Sequence, residues 1–160
     1  MLKIRDKALV YVTATTLVFI VVALVGGGWP KAATGGDNLQ VLEEAVINYY
    51  ERMPEHLYKI PEAELKQLID DDDQHIFILD IRSREDYLTG HIKGASNIPF
   101  REVGNNLDKL PQDKTIIVYC YTGQTGGQTA AALNIAGFKA RSLNGGMNNG
   151  WLKNEYSIIR

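Results

Sequence analysis

Two short apolar runs constrain the fold of this chain most: Ile76-Phe77-Ile78-Leu79-Asp80-Ile81 and Thr115-Ile116-Ile117-Val118-Tyr119. Continuous apolar runs of this length are typical of strands buried on both faces of a parallel sheet. Helical and strand patterns alternate around them. Glu62 to Ile69 repeats helically after Pro61, which a first helical turn tolerates. Ser83 opens a short helix to Leu88. Residues 97–100 read as a brief strand, and Glu102 to Leu110 as a short helix before Pro111. Thr125 or Gln128 opens a helix through Ala136, closed by Gly137. Ala140 to Leu143 is a last short strand, and residues 145–154 end in a short helix. Such alternation implies an α/β fold: a mostly parallel sheet covered by helices on both faces. Ligands of such sheets bind at the C-terminal ends of the strands.

The second strong strand runs into Cys120, the one cysteine among 160 residues. A lone cysteine excludes an internal disulfide and any zinc site of paired cysteines. The acidic turn Asp70 to Asp73 lacks the spacing and glycine of a calcium loop. No metal and no cofactor are therefore expected. Without context, a single cysteine reads as a buried, inert small hydrophobe. Its context argues otherwise. Tyr121-Thr122-Gly123-Gln124-Thr125-Gly126-Gly127 follows, a polar, glycine-rich loop between a strand and a helix. Backbone N–H groups of such a loop can turn inward as an anion-binding nest, and the helix N-terminus adds positive potential. A thiolate at its centre is stabilised, so Cys120 is expected to be reactive.

The N-terminus carries a different signal. Met1 to Lys7 is a basic head, and Ala8 to Val25 contains no charge. A helix needs roughly 20 residues to cross a hydrocarbon core. Lys3, Arg5 and Lys7 would stay cytoplasmic, with Trp29 at the far interface. The length favours an uncleaved membrane anchor over a cleaved signal peptide. Either route delivers the rest of the chain outside the cytoplasm, membrane-anchored facing the periplasm or cell exterior, or periplasmic or secreted. Residues 1–33 hold four basic side chains against one acidic, and residues 34–160 hold 13 against 18. A body that acidic repels phosphate backbones, so no nucleic-acid partner is expected. Residues 34–57 read as a linker and an amphipathic helix. Leu39, Leu42, Val46, Tyr49, Tyr50 and Met53 recur at helical spacing over 38–53, and this stripe is expected to pack. It could also serve as a docking surface.

Three cysteine chemistries compete. A Cys–His hydrolase needs a base, and nothing marks His56, His75 or His91 as one. A cysteine phosphatase needs an arginine closing its loop, and Gly126 stands at that place. Sulfane-sulfur transfer needs only a thiolate and donors for the persulfide anion that follows.

The residues resemble the rhodanese family in three stretches. One is Asp80-Ile81-Arg82 with Tyr87, Gly90-His91-Ile92, Gly94-Ala95 and Asn97-Ile98-Pro99. The second is the six-residue loop from Cys120 to Thr125. The third is Gly145-Gly146 with Trp151. The resemblance covers about residues 58–154, with a rhodanese-like domain expected over 58–160. It implies a central, mostly parallel five-stranded sheet flanked by helices. It implies Cys120 as a persulfide-carrying nucleophile, its outer sulfur cradled by the backbone of Tyr121, Thr122, Gly123, Gln124, Thr125 and Gly126. Asp80 and Arg82 would form an ion pair bracing the loop. The donor would be a small sulfur anion (thiosulfate, polysulfide or persulfide) and the acceptor a thiol or cyanide. Thiosulfate-using members commonly carry Arg or Lys in or beside the loop, and this loop is neutral. A non-catalytic sulfur sensor or protein-binding module is the alternative reading.

Overall fold

In the computed structural model, which describes residues 35–160, chain order begins with helix α1, Gly35–Glu51. The sheet elements follow as β1 (Lys59–Ile60), β2 (Ile76–Asp80), β3 (Ala95–Asn97), β4 (Thr115–Tyr119) and β5 (Lys139–Leu143). Between them lie α2 (Glu62–Asp70), α3 (Arg84–Thr89), a 3₁₀ segment (Phe100–Lys109) and α4 (Gln124–Ile135). A π turn, Gly146–Trp151, and a short 3₁₀ turn, Leu152–Asn154, follow the last strand. The chain divides into Met1–Leu42 and Glu43–Arg160, and the sheet belongs to the second unit. The anchor or signal expected at residues 1–33 lies outside the described residues. Among the described residues, no helix is long and apolar enough to cross a membrane.

The strands stand in the order β1-β5-β4-β2-β3, and every pair is parallel. β4 is central because its residues are apolar toward both faces. Ile116, Val118 and Cys120 face one core with Ala130 and Leu133 of α4 and Val103 of the 3₁₀ segment. Ile117 and Tyr119 face the other with Leu65 of α2, Met147 and Trp151. This is the period of two that a strand imposes. Ile116 and Ile117 are essentially inaccessible, and burying one such side chain contributes about 1.5–3 kcal/mol.

Several boundaries moved. The brief strand expected at 97–100 is Ala95–Asn97, because Pro99 and Phe100 open the 3₁₀ segment. The helix expected at 102–110 is that 3₁₀ segment, broken at Asn106, where φ is −130°. β1 was not legible at all, since two residues show no period. The largest correction concerns α1. Of its apolar stripe, Tyr49 and Met53 are half-buried, whereas Leu39, Leu42, Val46 and Tyr50 are exposed. Periodicity marks an apolar face without saying what covers it, and here Ala45, Asn48 and Tyr49 are the half-buried residues of the helix.

Asp80 and Arg82 are buried where β2 ends. Arg82 Nη2 donates to Asp80 Oδ2 at 2.7 Å and to the Gly90 carbonyl at 2.8 Å, and Nε donates to both Asp80 oxygens at 3.1 Å. Burial alone would lower the Arg82 guanidinium, but its bonds to Asp80 outweigh that and hold it above the usual value. Removing one partner leaves an uncompensated buried charge. Asp80→Ala should therefore lower unfolding stability by about 3–5 kcal/mol, measured by chemical denaturation.

Candidate active site

Cys120 is the first residue after the central strand, and β2 ends beside it. The connection after β4 leads to β5 on one side, and the connection after β2 leads to β3 on the other. The crevice at such a reversal of strand order is where α/β sheets place ligands. The parity of β4 aims the Cys120 side chain at the α4 face, and its surface is 2% exposed.

The loop turns back on itself because Gly123 adopts a left-handed conformation, with φ of +92°. That residue is the N-cap of α4, so the helix N-terminus begins directly above the sulfur. Cys120 Sγ accepts N–H bonds from Gly123 at 3.1 Å and Gly126 at 3.3 Å. Burial pushes the thiol up. The Thr125 hydroxyl and the N–H groups of Gly126, Thr122 and Gly123 pull it down further, and the balance lies below the ordinary thiol value. Tyr121, Thr122 and Gln124 are exposed, Thr125 is half-buried and Gly126 is buried.

A second loop holds this one in place. Met147 N–H donates to the Cys120 carbonyl and Asn148 N–H to the Tyr121 carbonyl, each at 2.8 Å. Gly146 sits so close that a Cβ there would lie 2.6 Å from both Cys120 O and Gly123 N. Its φ of +60° also favours glycine. The Gly145-Gly146 pair was visible in the sequence as a motif, but not as a wall of the cysteine loop.

A third contact had no signal in sequence, because its partners lie 35 residues apart. Tyr121 Oη donates to Asp86 Oδ2 at 2.5 Å and accepts from the Ser83 N–H at 3.2 Å. Ser83 Oγ donates to the same Asp86 oxygen at 2.9 Å and, as N-cap of α3, accepts from Asp86 N–H. The hydrogen bonds from Tyr121 and then Ser83 hold the Asp86 carboxyl below its ordinary value. The loop is thus fastened to the start of α3.

Asp80 and Arg82 lie at the base of this arrangement. The Arg82 guanidinium sits 5.5 Å from the centre of the Tyr119 ring, and the Ile81 N–H donates to the Tyr119 carbonyl. Their hydrogen bonds reach Gly90 and Asn97 rather than residues 121–126. His91 stacks on Tyr87 at 3.9 Å, with Nδ1 3.0 Å from the Tyr87 carbonyl. His56 lies by Tyr58, and the His75 backbone caps onto Asp73. Among the described residues, no group of His, Cys, Asp and Glu is arranged to hold a metal.

A buried thiol held by backbone N–H groups at the end of the central strand marks an α/β domain with a candidate cysteine site. Residues 62–153 match the family described as Rhodanese-like domain, and the chain belongs to that family. It is 34% identical over 120 residues to the Putative sulfur carrier protein YrkF of Bacillus subtilis, covering 69% of this chain and 64% of that protein. It is 35% identical over 71 residues to the thiosulfate sulfurtransferase PspE of Escherichia coli, covering 43% of this chain and 68% of that protein. The first of these relatives is therefore spanned over less than two thirds of its length. The crystal structure of a rhodanese-related protein from Thermoplasma volcanium superposes with a TM-score of 0.58 at 25% identity, covering 63% of this chain and 96% of that one.

Four outcomes follow from the cradle. The thiolate is the nucleophile, so the alkylation rate of Cys120 should rise with pH about a midpoint below that of an ordinary thiol. Thr125→Val removes one donor and should move that midpoint upward; a wild-type midpoint at or above the ordinary value would contradict the cradle. Gly146→Ala should cost at least about 2 kcal/mol in denaturant unfolding, because backbone atoms on both sides must shift. The same substitution should raise the alkylation midpoint, since it displaces the Gly123 N–H.

Proposed function

We propose that this chain is a sulfurtransferase that carries sulfane sulfur as a persulfide on Cys120. The observation that carries the reading is the Cys120 sulfur receiving two backbone N–H bonds inside a loop without charge. Those donors suit a persulfide anion as well as a thiolate, and they need no general base. With thiosulfate, the Cys120 thiolate attacks the outer sulfur, the S–S bond breaks, and sulfite leaves with the bonding pair. The thiolate charge passes to the outer sulfur of the new persulfide. An acceptor thiolate or cyanide then attacks that outer sulfur and releases the Cys120 thiolate. In this reading Tyr121, Thr122, Gly123, Gln124, Thr125 and Gly126 bind the transferred sulfur, and Asp80 with Arg82 braces the strand ends beneath them.

Family membership and relatives named for sulfur transfer or sulfur carriage support the chemistry. The neutral loop favours an organic persulfide, whose reacting end carries at most one charge, over thiosulfate, since a free dianion gains most from a fixed cation. We extend the proposal to place. Residues 1–33 act as a membrane anchor or export signal and residues 34–57 as a linker and helix. Residues 58–160 are the catalytic domain, facing the periplasm or cell exterior.

The decisive measurement is mass spectrometry of the intact chain after exposure to thiosulfate, polysulfide or glutathione persulfide. A gain of one sulfur atom, absent in Cys120→Ala and discharged by a thiol or cyanide, is the expected result. Failure of every donor to load Cys120 would sink the reading. Stoichiometric loading without turnover would instead make the chain a sulfur sensor.

A further inference from the structure

We propose that the cleft beside the Cys120 loop binds the organic tail of a persulfide donor, and that Lys59 recognises a carboxylate on that tail. The proposal rests on the sulfurtransferase reading above and names the donor class of that site. The cleft encloses about 270 Å³ within residues 43–160. Thr122 and Gly123 of the cysteine loop line it together with Tyr49, Leu57, Tyr58 and Lys59. Tail and reacting sulfur would therefore share the Thr122-Gly123 segment.

Three features make this cleft more than a gap in packing. The backbone of Leu57 and Tyr58 is held in the left-handed region, with φ of +50° and +53°. Consecutive non-glycine residues adopt that conformation only where their surroundings impose it, and such strain gathers at ligand clamps. Here it is imposed by hydrogen bonds from Leu57 N–H to Pro54 O, Lys59 N–H to His56 O, and Ser142 N–H to Tyr58 O. Tyr58 also stacks on Tyr49, centroids 5.3 Å apart, and both residues line the cleft. Finally, Lys59 is the one charged residue lining the cleft, and among the described residues it has no ion-pair partner.

The loop offers an anion no cation of its own, so recognition of a charged donor falls to a neighbour, and Lys59 is the one that lines the adjoining cleft. A carboxylate-bearing tail fits a lysine and two tyrosine rings; a tail-free donor leaves them idle. In the step so served, the Cys120 thiolate attacks the outer sulfur of R–S–SH. The donor's S–S bond breaks, R–S⁻ leaves with the bonding pair, and Cys120 Sγ carries the one transferred sulfur and its proton as a persulfide.

The test uses the 160-residue chain with Lys59→Gln and Lys59→Arg. Lys59 is exposed, so neither change threatens the fold. Loading kinetics are compared for glutathione persulfide, which bears carboxylates, and hydroxyethyl persulfide, which bears none. Lys59→Gln should raise KM for glutathione persulfide about two- to fivefold, as expected on losing one exposed charge pair. Its kcat, and KM for hydroxyethyl persulfide, should stay unchanged, and Lys59→Arg should restore the difference. Equal shifts for both donors, or none for either, overturn the proposal. Calorimetric binding of the unreactive S-methylglutathione separates the two readings. Lys59-dependent binding without sulfur loading keeps the cleft and removes the sulfurtransferase reading. Loading without Lys59-dependent binding does the reverse.

Discussion

A sulfur anion buried in a protein must be solvated by something, and at Cys120 the solvating groups are the backbone N–H groups of the loop that follows it. The side chain is almost fully buried, so desolvation works against ionisation. The Thr125 hydroxyl and the amides of Gly126, Thr122 and Gly123 reverse the sign. Because most of these donors are backbone, the effect depends on the path of the chain more than on side-chain identity. Everything else at this end of the sheet serves to hold that path.

Three attachments do so from different directions. β4 delivers Cys120 from below, with its register fixed between β2 and β5. The turn at Gly145-Gly146 presses on the loop from the side and satisfies its two outward carbonyls through Met147 and Asn148. Tyr121 ties the loop to Ser83 and Asp86 at the start of α3. The Asp80–Arg82 pair secures a different junction, joining the end of β2 to the Gly90 turn. It stabilises the strand ends from which the loop rises, without touching the loop's own donors.

Much of this was legible along the chain. The apolar runs at 76–81 and 115–119 define strands because side chains facing both cores must be apolar. Glycine after a strand and before a helix marks a turn with inward amides, which is why the loop around Cys120 stood out. Other parts were not legible. β1 is two residues long, and no period can be read from two residues. The stripe on α1 looked like a packing face, yet Leu39, Leu42, Val46 and Tyr50 are exposed. Amphipathic spacing records which side of a helix is apolar, and only neighbours decide whether that side is covered. Asp86 gave no sign of its bond to Tyr121, because the contact joins residues far apart in sequence.

By itself, the sequence determined the class of fold, the parallel character of the sheet, and the placement of the single thiol at a strand end before a helix. These are local consequences of hydrophobic period, turn chemistry and chain order. Only the tertiary structure decided which donors reach the sulfur, which glycine closes the wall, and which residues distant in the chain border the loop. Those outcomes depend on close approach between segments distant in the chain: Gly146 against Cys120 and Gly123, Tyr121 against Asp86, and Tyr58 and Lys59 along the cleft beside Thr122. Distances of that kind follow from how sheet and loops pack together, and no local pattern encodes them.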